Sequence, residues 1–312
     1  MSGRAVLAVA AILVVACGSV GCSSGPDRST TGATRSVVAS TDVWGSVAES
    51  VAGDEVPVTS VVSGSVDPHS FAPAPATVAE IEEAALVVFN GGGYDAWVTE
   101  VLANQREVTA VDAYALLDPG AVGEPAPPNE HVFYELNTAK AVAGRIADRL
   151  AEADAEHAEQ YRSRAVDFGR RADGILAQEQ AMRTAFPGAT VVATEPVAHY
   201  LLLAAGLTDK TPQGFSNAVE QDTDPAPADI AAMLDLITKH EVRALVFNEQ
   251  TMTGATRQIR DAAQSAGVPI VSVTETLPEG KDYLTWQADT AERLAAALRQ
   301  NPLRQNPLRQ NP

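Results

Sequence analysis

The chain has 312 residues, 46% hydrophobic and 20% charged, and its 22 glycines and 19 prolines are too few for a collagenous or low-complexity protein. This composition argues against a disordered chain or a polytopic membrane protein, and the length suggests about two domains. A formal net charge of −18 argues against a nucleic-acid partner, which would call for a basic surface.

Arg4 precedes the apolar stretch Ala5 to Ala16, which is shorter than the roughly 20 residues a permanent membrane span needs, so residues 1–21 read as a signal peptide. Ser19-Val20-Gly21-Cys22 resembles the lipobox of bacterial lipoproteins, in which lipid is attached to the cysteine and cleavage precedes it. Residues 22–35 are polar and suit a flexible tether. The alternative is ordinary secretion with cleavage elsewhere. Cys17 and Cys22 are the only cysteines, so nothing beyond them can form a disulfide.

From Ser36 onward, short β-branched runs alternate with helical patterns, which predicts an α/β fold with parallel sheets. Predicted strands are Ser36–Ala39, Pro57–Val62, Leu86–Asn90 and Val108–Val111, then Thr190–Ala193, Phe215–Ala218, Ala244–Asn248 and Pro269–Val273. Four strands fall in each half, predicting two lobes over 36–153 and 187–298, each with a four-stranded sheet and flanking helices. Between them, Asn137 to Leu150 reads as one helix and Asp154, a plausible N-cap, opens a second through 154–186. In that second helix, Tyr161, Phe168, Ile175 and Met182 recur every seven residues and keep one apolar seam aligned. A rod of this length can link the lobes; a helical hairpin inside one domain is the competing arrangement. The chain closes on three copies of Leu-Arg-Gln-Asn-Pro, whose regular prolines predict a disordered tail over 299–312.

With no thiol after Cys22, a transition-metal site must use imidazole and carboxylate. Of the five histidines, His69 and His131 fall in predicted loops, in Asp67-Pro68-His69-Ser70-Phe71 and in Asn129-Glu130-His131-Val132-Phe133-Tyr134. His157 reads as a solvated residue at the start of the linking helix and His240 as a helix C-terminal residue. Asn248-Glu249-Gln250 ends a strand and can line a cleft, with Glu249 expected to bond nearby backbone. Gly91-Gly92-Gly93 lacks the Lys-Ser/Thr and the Gly-x-Gly-x-x-Gly spacing of a phosphate cradle. Ser40 and Asp42 have no matched His-Asp arrangement that would make a hydrolase triad.

Asp67-Pro68-His69-Ser70-Phe71-Ala72-Pro73, followed by Leu86 through Asn90, Gly91-Gly92-Gly93-Tyr94-Asp95-Ala96-Trp97, resembles the metal-binding lipoproteins of zinc and manganese ABC importers. The resemblance continues through Asn129–Tyr134, Ala205-Gly206-Leu207, Val273 to Pro278 and Asp282-Tyr283, covering roughly 36–298. It implies one divalent ion held between two lobes, with His69 and His131 as its first two ligands. At the third position it implies histidine or glutamate five residues before a tyrosine, which Glu195 fulfils ahead of Tyr200; His199, one turn along, is the alternative. At the fourth, where aspartate is usual, Glu275 stands. His69, Glu195 and Glu275 each follow a predicted strand, where ligands bind in open α/β sheets.

Two imidazoles and two carboxylates suit Mn2+ through oxygen donors, while Zn2+ binds the same ligands more tightly, so either ion is an expected cargo. The implied function is capture of the ion and delivery to an ABC permease with its cytoplasmic ATPase, by a monomeric binding protein anchored through lipid on Cys22 at the outer face of the cytoplasmic membrane. It implies no enzymatic activity. A surface adhesin on the same scaffold and a metallohydrolase are the alternatives.

Overall fold

The computed structural model describes residues 36–300 apart from 104, 106 and 124–127. The signal peptide, Cys22, the tether and residues 301–312 lie outside the described residues.

The first lobe runs β1 (Val37–Thr41), α1 (Asp42–Ala52), β2 (Val58–Val62), α2 (Pro75–Glu83), β3 (Leu86–Phe89), α3 (Ala96–Leu102), β4 (Ala110–Asp112), α4 (Pro119–Val122) and α5 (Leu136–Ala153). After the long helix α6 (Ala158–Ala185), the second runs β5 (Thr190–Ala193), α7 (His199–Ala204), β6 (Thr208–Asp209), α8 (Gln213–Glu220), α9 (Pro227–Thr238), β7 (Leu245–Asn248), α10 (Gly254–Ala266), β8 (Ile270–Val273) and α11 (Tyr283–Gln300). Both sheets are wholly parallel and share one topology, β2-β1-β3-β4 and β6-β5-β7-β8. β1, β3 and β7 are buried along their whole lengths, which accounts for the apolar runs Val37–Ala39, Leu86–Phe89 and Leu245–Phe247. Two four-stranded parallel sheets with flanking helices, joined by one long helix, are the α/β fold class the sequence implies.

Each sheet has its order reversal beside its first strand, between β1 and β3 and between β5 and β7. Ligands in open α/β sheets bind at such points, beyond the carboxyl ends of the strands. Buried asparagines follow the same apolar pattern there in both lobes: Asn90 directly after β3 and Asn248 at the end of β7.

Helix α6 carries the seam that its heptad spacing foretells. Tyr161, Phe168, Ile175 and Met182 are all buried, and they belong to one core cluster that also takes in Trp44 and Val47 of α1, Leu201 of α7 and Trp286 of α11. At 1.5 Å per residue its 28 residues span about 42 Å. Phe168 lies 5.8 Å from the Tyr283 ring, centroid to centroid. Phe168→Ala is expected to destabilise the protein by about 3–5 kcal/mol, the usual range for emptying a buried aromatic site, measured by chemical denaturation. Outer layers close the two sheets: Ile81 and Trp97 pack on the first, and Phe215, Met233, Ile237 and Ile259 on the second.

Three local readings are corrected. Phe215–Ala218 is helical, within α8, because Phe215 and Val219 lie four apart on its buried face; the strand in that part of the sheet is the two-residue β6. Asp154 caps no N-terminus: it ends α5, and its carboxylate accepts from Tyr161 and pairs with His157, so the linking helix begins at Ala158. Leu298, Arg299 and Gln300, the start of the repeat, continue α11, where buried Leu298 offers its carbonyl to Arg243. His240 follows α9 with φ of 55°, the left-handed geometry that closes a helix.

Candidate metal centre

The loop after β2 carries His69, and Asp67 accepts the His69 backbone N–H at 2.9 Å in a local turn stiffened by Pro68. The segment after α4 carries His131. Asn129 Oδ1 accepts the His131 backbone N–H at 2.9 Å and lies 3.1 Å from its Nδ1, which leaves Nε2 as the nitrogen turned to the cleft. Tyr200 of α7 donates its hydroxyl to the Asn129 carbonyl at 2.6 Å, so the second lobe steadies the histidine of the first.

The glycine-rich turn after β3 wraps a carboxylate of its own chain. Asp95, 1% exposed, accepts the backbone N–H groups of Asn90 at 2.7 Å and Gly91 at 2.8 Å. Gly91 has φ of +76°, and a Cβ there would lie 2.2 Å from an Asp112 oxygen. The turn sets the Tyr94 ring against both imidazoles, 4.6 Å from His69 and 5.6 Å from His131, which are themselves 5.6 Å apart.

From the second lobe, Glu195 follows β5 and Glu275 follows β8. His69 Nε2 and His131 Nε2 approach the same Glu275 oxygen, Oε2, at 3.4 and 3.7 Å. The ligand atoms of all three side chains lie within 4.8 Å of one another. Donors about 2.1 Å from one tetrahedral ion stand about 3.4 Å apart, so this spacing suits a shared cation. Glu275 Oε2 is buried and has no hydrogen-bond partner among the described residues. Glu275 and His131 are each 1% exposed, whereas the His69 side chain keeps 31% of its surface open.

Glu195 stands one hydrogen bond away from this triad. Asn248 Nδ2 donates to Glu195 Oε2 at 2.9 Å and to Glu275 Oε1 at 2.8 Å, holding the two carboxylates side by side. The Thr251 hydroxyl donates to the other Glu195 oxygen. His199, at the start of α7, is not among the clustered ligand atoms; it lines a neighbouring cavity with Asp209 and its ring packs on Tyr200. His157 and His240 lie elsewhere, on the α5–α6 corner and the end of α9. Of the predicted cleft residues, Glu249 accepts from the Ser272 side chain, and Gln250 accepts the Glu275 backbone N–H.

A carboxylate that the sequence reading missed also reaches the centre. Glu220, the last residue of α8, places Oε1 3.7 Å from His131 Nε2, and Glu130, His131 and Glu220 form a second group with ligand atoms within 4.8 Å. Reading 215–218 as a strand hid it, and the signal that finds it is the Phe215/Val219 helical pair one residue before it.

The electrostatics follow from this packing. Burial pushes the His69 imidazole down, but the adjacent Glu275 carboxylate outweighs it and raises the pKa to about 9. His131 is likewise driven up against its burial by Glu275 and Glu220. Burial raises Glu275, yet the two imidazoles hold it well below the usual carboxylate range. Glu195, with weaker support, is pushed up by burial to about 7. Without an ion, the site therefore holds protons on nitrogen where a metal would sit.

The lobes meet over the centre. The Gly64 carbonyl, in the His69 loop, accepts from Gln250 Nε2 at 3.0 Å and from the Thr276 hydroxyl, and Asp42 accepts the Leu277 backbone N–H at 3.0 Å. Two parallel-sheet lobes joined by one long helix, with a buried imidazole–carboxylate cluster between their strand ends, have the build of a bilobed solute-binding protein. Residues 37–297 match the family described as zinc-uptake complex component A, periplasmic, and the chain belongs to that family. It is 24% identical over 311 residues to the manganese ABC transporter substrate-binding lipoprotein PsaA of Streptococcus pneumoniae serotype 4, covering 94% of this chain and 97% of that one. It is also 24% identical to the metal ABC transporter substrate-binding lipoprotein ScbA of Streptococcus cristatus, with 92% and 96% covered. Among solved structures, the periplasmic zinc-binding protein TroA of Treponema pallidum shares the fold with a TM-score of 0.73 and 18% identity, over 85% of this chain and 99% of that one. The laminin-binding protein Lmb of Streptococcus agalactiae, described as having adhesin and metal-transporting activity, gives 0.72 at 23% identity, over 85% and 99%.

Proposed function

We propose that this chain is the extracytoplasmic solute-binding lipoprotein of an ABC importer, which captures Mn2+ or Zn2+ between its lobes and delivers it to a membrane permease powered by a cytoplasmic ATPase. The observation that carries this reading is the convergence of His69 Nε2 and His131 Nε2 on one buried, unbonded oxygen of Glu275. Glu195 completes the ligand set on the reading adopted here, with Asn248 holding it beside Glu275. His131 and Glu275 are sealed from solvent, which suits retention of a cargo ion; a hydrolytic centre needs an open coordination position and a base beside it. The ion is thus cargo and the chain a carrier. Among the described residues no helix is long and apolar enough to cross a membrane. On the proposed reading the chain is attached through lipid on Cys22 at the outer face of the cytoplasmic membrane and works as a monomer.

The test is competitive titration of the protein with Mn2+ and Zn2+ against a chromophoric chelator, for the parent and for Glu195→Ala and His199→Ala. Glu195→Ala is expected to weaken binding at least about tenfold, and His199→Ala to change it little. Loss confined to His199→Ala would reverse the third-ligand assignment, and absence of tight binding in the parent would remove the transport reading. An adhesin role would show as partner binding that survives the double change His69→Ala, His131→Ala.

A further inference from the structure

We propose that Glu220 is an additional ligand of the captured ion, supplying a carboxylate oxygen beside His131. The proposal rests on the metal-capture reading and adds a residue to its site.

Both carboxylate oxygens of Glu220 are enclosed by protein and accept no hydrogen bond among the described residues. Enclosing a carboxylate without a donor is unfavourable, and a cation is the partner that offsets it. Glu195 differs in this respect, since each of its oxygens receives a donor, from Asn248 and from Thr251. Burial pushes the Glu220 carboxyl up, His131 and His69 favour its ionised form, and the adjacent Glu130 carboxyl opposes it.

Position supports the same assignment. His131 Nδ1 faces Asn129 Oδ1, so only the Nε2 lone pair is available to a metal, and one lone pair holds one ion. Glu275 Oε2 and Glu220 Oε1 both lie 3.7 Å from that Nε2. That nitrogen can hold a single ion, and Glu220 is as near to it as Glu275 is, so Glu220 is placed to join the same ion. The nine-tenths-buried member that points to an ion is Glu275, whose Oε2 has no hydrogen-bond partner and faces both imidazoles.

Glu220 also borders a cavity of about 500 Å³ that Asn129, Glu130, His199 and Asp209 help to line. Its carboxylate therefore stands between this acidic vestibule and the buried nitrogen, where an arriving divalent cation meets it before Glu275. A third carboxylate makes the donor set richer in oxygen, which favours Mn2+, a harder ion than Zn2+.

Glu220→Gln keeps the volume of the side chain and removes its charge. The expected result is Mn2+ binding weakened at least about tenfold, with a smaller loss for Zn2+, in the same chelator competition. In a crystal structure of the Mn2+-loaded parent protein, located by anomalous scattering, a Glu220 oxygen is expected within about 2.2 Å of the ion. Parent-like affinities in Glu220→Gln, alongside lost binding in Glu275→Gln, would overturn the Glu220 assignment and leave metal capture standing. Parent-like affinities in both variants would overturn the assignment of Glu220 and of Glu275 alike, and absence of tight binding in the parent would overturn metal capture itself. If Glu220→Gln does not fold, the Mn2+-loaded structure decides alone, and a Glu220 carboxylate outside coordination distance overturns the proposal.

Discussion

Glu275→Ala is expected to weaken binding of Mn2+ and Zn2+ by at least about 100-fold, beyond the range typical of residues that only support a ligand. The size of the effect comes from the double duty of one side chain. Its Oε2 faces both imidazoles, at 3.4 and 3.7 Å, while its Oε1 receives the Asn248 amide that also holds Glu195. Removing it takes away a ligand, frees Asn248 and leaves His131 buried with one fewer counter-charge. His69 should then lose most of the upward push that sets its pKa at about 9, and both imidazoles should titrate at lower pH. Chelator competition reads the affinity, and histidine resonances followed by NMR against pH read the second effect. Glu275→Gln separates the two roles, because an amide oxygen still accepts from Asn248 but brings no charge. Full binding in either variant would contradict the assignment of Glu275 as a ligand.

Binding should also release protons and strengthen steeply with pH. His69 is raised from its ordinary 6.5 to about 9, so the metal-free site carries its proton at neutral pH and an ion must displace it; His131 is raised as well, by Glu275 and Glu220. While both imidazoles are protonated, displacement of two protons gives up to about a 100-fold gain in apparent affinity per pH unit, flattening above about pH 9. Ionisation of Glu195, pushed up to about 7, adds to the rise below neutrality. Stability of the metal-free protein runs the other way. A raised imidazole contributes fully below its ordinary 6.5 and loses that contribution as pH climbs through about 9. The depressed Glu275 contributes above its ordinary 4.5 and loses its contribution as pH falls below that. The His69–Glu275 pair therefore contributes most to the metal-free protein between about pH 5 and 6.5, while Glu195, raised by burial from 4.5 to about 7, takes stability away as pH climbs through that range. Calorimetric titrations in buffers of different ionisation enthalpy count the protons released, and an affinity flat between pH 6 and 8 would contradict this account.

The long-range plan of the molecule was legible in the sequence because it rests on periodicity. Apolar runs such as Leu86–Phe89 are buried on both sheet faces and can be read without a structure, and the seven-residue seam of α6 lies on the core as its spacing implies. His69, His131 and Glu275 were legible because they sit in quotable loop motifs. The shell around them was not. Tyr200 and Thr251 act through single hydrogen bonds between segments far apart in the chain, to Asn129 and to Glu195, and no local pattern records such a pairing. Glu220 was hidden for a different reason: Phe215–Ala218 holds no β-branched residue and lies in helix α8, where Phe215 and Val219 pack with Met233 and Ile237, so the strand reading there misplaced the segment that leads to it. Asp154 illustrates the same limit at an element end, where its carboxylate serves His157 and Tyr161 instead of capping backbone.

The α6 spine has a thermodynamic corollary. One face of that helix is covered by α1 and α5 from the first lobe and by α7 and α11 from the second, and their side chains merge into a single apolar cluster. Neither half can melt without stripping cover from a helix that the other half also needs. Despite its two sheets, the molecule should come apart in one concerted transition, with a single calorimetric peak in place of two.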